Sequence, residues 1–86
     1  MRHITADRIE AIEPMLDEIR ACGGIVEKSP GRFYRKSQGF LHFHEDGDDL
    51  YADVRLQPGP FERMRVTTKA EQRRLVTRIR RCLEAA

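Results

Sequence analysis

Cysteine is scarce in this chain. Cys22 and Cys82 are the only two, and no Cys-x-x-Cys pair occurs, which excludes a disulfide framework and the common zinc-finger spacings. No apolar run approaches the length of a membrane-spanning helix, so no membrane partner is expected. The stretch Met1 to Asp7 turns charged before a secretory core can build, and the chain reads as cytoplasmic with reduced thiols. A glycine-rich phosphate loop, a Walker sequence and a nucleophile elbow are all missing. Ser29 and Ser37 fall in turns without triad partners. The reading leans away from an enzyme, and no cofactor is called for. Asp46-Gly47-Asp48-Asp49 looks like a piece of a calcium loop, but it lacks the following glutamate and the flanking helices. Internal repeats, low-complexity tracts and dividing linkers are absent as well.

What is present fits one domain over residues 1–86. Hydrophobic residues make up 40% and charged residues 35%, and the apolar ones are periodic rather than scattered, which argues against disorder. The net charge of +2 hides an asymmetry. Asp7, Glu10, Glu13, Asp17 and Glu18 crowd the first helical region. Lys69, Arg73, Arg74, Arg78, Arg80 and Arg81 crowd the last.

Helical spacing puts Ile9, Ile12, Leu16 and Ile19 on one face of a first helix that ends at Gly23-Gly24. Asp7-Arg8-Ile9-Glu10 has capping-box spacing, and Pro14 must either kink this helix or start a second one. The period then changes to two. Strands are expected at Ile25 to Lys28 and Phe33 to Lys36, joined by a type II turn at Ser29-Pro30-Gly31-Arg32. After a break at Ser37-Gln38-Gly39, Phe40 to Glu45 and Leu50 to Leu56 form a hairpin around Asp46-Gly47. Phe61 to Val66 reads as an edge strand. Thr68-Lys69-Ala70-Glu71 is a capping box that opens a helix with Leu75, Val76, Ile79, Cys82 and Leu83 on one arc. Both cysteines therefore read as buried thiols. The fold class is α+β: an antiparallel meander of four or five strands, with an N-terminal and a C-terminal helix packed on one face.

An even hairpin loop puts Leu41, Phe43, Leu50, Ala52 and Val54 toward the helices. The opposite face then gathers Phe40, His42, His44, Asp49, Tyr51, Asp53 and Arg55, with Phe33 as a possible neighbour. Aromatics, histidines, carboxylates and arginine are more than a plain solvated face carries. The preferred reading is an interaction module that homodimerises through this face, since one sheet face is left uncovered and aromatics and arginine are typical of interfaces. Single-stranded nucleic acid is an alternative, with Phe33, Phe40 and Tyr51 stacking on bases, Arg32, Arg35 and Arg55 meeting phosphates and the basic C-terminal helix adding charge. Asp49 and Asp53 on the same face speak against it. The other alternative is zinc. His42 and His44 lie two apart on a strand, about 7 Å along the backbone and facing the same way, with Asp53 or Asp49 as third ligand and an open position for water.

Overall fold

The two periodicities become the expected two layers. The computed structural model describes residues 2–85 and orders the elements as β1 (Arg2–His3), α1 (Ala6–Ala11), α2 (Glu13–Arg20), β2 (Val26–Ser29), β3 (Arg32–Arg35), β4 (Gln38–Asp46), β5 (Asp49–Val54), β6 (Glu62–Arg65) and α3 (Lys69–Glu84). Strands β2 to β6 form a meander in chain order, and β1 pairs with β4 past the end of β3. Leu41, Phe43, Leu50, Ala52 and Val54 are buried in one cluster with Ile12, Leu16, Ile19, Leu75 and Ile79 of the helical layer.

Pro14 splits the first helix. It sits in the opening turn of α2, where its missing N–H has no helical partner to lose. The N-cap of α1 is Thr5 rather than Asp7, and it makes no side-chain cap bond, because its hydroxyl is turned toward Glu45 Oε2 at 3.4 Å. The cap of α3 is the expected reciprocal pair, with Glu71 N–H donating to Thr68 Oγ1 at 3.1 Å and Thr68 N–H to Glu71 Oε1 at 2.9 Å. The acidic and basic helices lie side by side, with Arg73 3.0 Å and Arg80 3.8 Å from Glu18. The cysteines are only partly buried, and Cys82 Sγ lies 3.3 Å from the Leu56 carbonyl oxygen.

The β4–β5 register pairs Asp46 with Asp49 around a two-residue loop, so the hairpin loop is even. Gly47 alone takes positive φ there, at 60°, the pattern of a type II′ turn. No break separates β3 from β4. Arg35 pairs with Gln38, and the turn is made by Lys36 and Ser37 at φ 52° and 67°. A bulge follows. Phe33 pairs with Leu41 and Tyr34 with Gly39, so Phe40 has no partner on β3. Consecutive side chains at a bulge escape strict alternation, and Phe40 joins Leu41 in the core at 2% exposure. Phe33 is buried there too. Both aromatics thus leave the outer face to which simple alternation assigned them.

Candidate metal centre

The outer face of the central hairpin is built by register. His42 faces Asp53 directly across β4 and β5, and His44 faces Tyr51. Nε2 of His44 lies 3.1 Å from Asp53 Oδ2, and Nε2 of His42 lies 3.9 Å from the same oxygen. The two rings meet edge to face with centroids 4.7 Å apart. One ligand atom from each of His42, His44 and Asp53 falls within 4.8 Å of the others. A tetrahedral zinc with bonds of about 2.0–2.1 Å holds its ligand atoms about 3.4 Å apart, so a small ring rotation closes this set around one ion.

Two atoms make the cluster unusual. His42 Nδ1 and His44 Nε2 are buried and have no hydrogen-bond partner among the described residues. The His44 contact with Asp53 is short, but it lies off the line a ring N–H would need. Buried polar nitrogens are normally paired, and the exceptions call for an explanation. Burial, followed by the nearby His44, holds the His42 pKa below its usual value, so His42 is neutral near pH 7, the form in which imidazole binds metal.

Asp53 is oriented from outside. Arg63 on β6 donates from Nε to Oδ1 at 2.8 Å and from Nη2 to Oδ2 at 3.0 Å. This pair holds the Asp53 carboxyl below its usual range, while burial works the other way. A carboxylate oxygen has two lone pairs, so Oδ2 can keep Arg63 and still face the imidazoles. Metal-binding carboxylates commonly carry such an outer partner.

Neighbouring side chains wall the cluster. Phe61 and His42 pack edge to face with centroids 5.0 Å apart, and Arg55 lies over the Phe61 ring at 4.4 Å from its centroid. Arg55 also donates to the carbonyls of Gly39 and Gly59 at 3.2 and 3.1 Å. On the other side His3 of β1, the cross-strand partner of His44, stacks on that ring at 5.1 Å.

Of the residues singled out in the sequence, His42, His44, Tyr51, Asp53 and Arg55 share this face, whereas Phe40 lies in the core. Asp49 is also on it but is engaged by Arg65 at 2.8 Å. The stacking platform for single strands is not assembled, because Phe33 and Phe40 are core residues and Arg35 reaches Cys82 Sγ at 3.5 Å. Sequence reasoning missed Arg63, Phe61 and His3. Arg63 carried one signal, an arginine in a candidate edge strand beside the hairpin; His3 carried none, lying outside every expected element. No family model, curated protein or solved structure matches the chain.

Proposed function

We propose that this chain is a small binding module in which His42, His44 and Asp53 hold one divalent transition metal, with zinc the best-matched ion. Two imidazoles and a carboxylate are borderline ligands of the kind zinc takes, and they leave room for a further ligand. The observation that carries the reading is His44 Nε2, buried and without a hydrogen-bond partner among the described residues, 3.1 Å from a carboxylate that Arg63 orients, with His42 Nε2 3.9 Å from the same oxygen. With 23%, 14% and 11% of the His42, His44 and Asp53 side chains exposed, the site is largely covered, which suits a structural or sensing ion better than one that meets a substrate.

Homodimerisation through the same face is the less supported reading, because Phe40 is in the core and Tyr51 is the one aromatic left from the pair that motivated it. Titration of metal-free protein with zinc tests the proposal. It should bind one ion per chain, and at a free zinc concentration a hundredfold above Kd the melting transition should move by an amount equivalent to about 2.7 kcal/mol. His44→Ala and Asp53→Asn should each remove stoichiometric binding. A wild-type protein that takes up no zinc, nickel or cobalt at tens of micromolar sinks the reading.

A further inference from the structure

Building on that metal reading, we infer that His3 is the fourth ligand, so that the ion fastens the N-terminal strand β1 across the sheet. All 3 histidines of the chain lie on this one face, although one comes from the N-terminus and two from the central hairpin. They form a continuous row, with ring centroids 5.1 Å apart from His3 to His44 and 4.7 Å from His44 to His42. Directly opposed residues on antiparallel strands have Cβ atoms about 4.5–5.5 Å apart. The His3 ring lies outside the His42, His44 and Asp53 set and is stacked on His44, so it must turn out of that stack to reach an ion held there.

The backbone of β1 is positioned from the opposite face. Arg2 turns to the helical side and donates from Nε to Glu45 Oε1 at 2.8 Å. Glu45 is 3% exposed at a core position and also faces the Thr5 N–H at 3.5 Å. Strand alternation then turns His3 to the metal side, as Arg2 faces Glu45. The ring itself is exposed and, among the described residues, is held by its stack on His44 and by Arg32 Nη2, 2.8 Å from Nδ1 and 3.1 Å from Nε2. A guanidinium only donates, and a single nitrogen this near to both ring nitrogens does not lie along either in-plane lone pair, so an ion can still take one. Arg32 is itself exposed and has water to return to. Sites closed by four protein ligands are the structural kind, in keeping with the walls around this one.

The test uses the intact chain and its variants His3→Ala and His3→Cys. Zinc affinity is measured by competition with a chelator, coordination by the visible spectrum of the cobalt(II) form, and strand closure by hydrogen exchange at Ile4, whose N–H meets the Phe43 carbonyl at 3.4 Å. Wild type should show the intense bands of four-coordinate cobalt, and zinc should slow exchange at Ile4. His3→Ala should bind about 100-fold more weakly, at the upper limit of the loss seen when an outer partner of a ligand is removed. It should also show weaker cobalt bands as water enters, and no slowing of exchange. His3→Cys, which restores a ligand but not the stack, should recover affinity. If His3→Ala keeps wild-type affinity and spectrum while His44→Ala loses the metal, His3 is not a ligand and the three-residue site stands without it. If wild type binds no metal, the site and this closure fall together.

Discussion

At the residue scale, charge is organised around Asp53. Arg63 neutralises it, and His42 and His44 lie next to it without either ring nitrogen being hydrogen-bonded to it. Removing Arg63 by Arg63→Ala should leave the fold in place, because the guanidinium lies at the surface, yet weaken zinc by roughly 10–100-fold, as loss of an outer partner does. Calorimetric titration reads this directly. The metal-free protein should also respond to acid in two stages. Burial keeps His42 unprotonated in the fold at pH values where the unfolded chain, titrating near 6.5, already takes up a proton. Stability is therefore full above about pH 6.5 and falls as pH drops below it. The lowered Asp53 carboxyl adds a second loss at lower pH, as pH falls through its folded value. Melting temperature measured across pH 3–8 should show both descents, and His42→Gln should abolish the first alone.

At the element scale, the tightest local conflict is the β3–β4 turn. Lys36 and Ser37 both occupy left-handed backbone, at φ 52° and 67°, as a type I′ turn requires. Residues with a Cβ are disfavoured there by about 1–2 kcal/mol each, and Asn-Gly is the preferred pair. Lys36→Asn combined with Ser37→Gly should raise stability by about 1 kcal/mol or more, read as a higher urea midpoint with unchanged slope. This conflict explains why the strand boundary was hidden. Lys36-Ser37 carries no turn signature, while the nearby Gly39 suggested a break that falls inside β4. Where the turn residues match their geometry, as at Gly31 with φ 77° and Gly47 with φ 60°, the sequence was legible. The capping box of α3 was equally legible, since its partners are three residues apart and need nothing from the rest of the chain.

At the scale of the whole molecule, one bulge decides which face of the sheet is apolar. With Phe40 in the core, Val26 at 61% exposure is the only large apolar side chain standing exposed among the described residues. Phe40→Ala should consequently cost about 3–5 kcal/mol in chemical denaturation, the range for emptying a buried aromatic site, and should not act through assembly. Tyr51→Ala, on the half-buried outer face, should cost distinctly less. If both substitutions left stability unchanged but dissociated a dimer, Phe40 would belong to an interface after all.

Local pattern was enough for the α+β class, the division into helices and strands, and the placing of His42, His44 and Asp53 on one face. Each of these follows from a short-range period: 3.6 residues in the helices, 2 in the strands, and an even loop between β4 and β5. Tertiary structure decided the rest, because it depends on which strands become neighbours. Only the pairing of β1 with β4 brings His3 to His44, and only the pairing of β5 with β6 brings Arg63 to Asp53. The bulge that withdraws Phe40 is likewise set by the register of β3 on β4, a relation between strands that no local pattern in either one encodes.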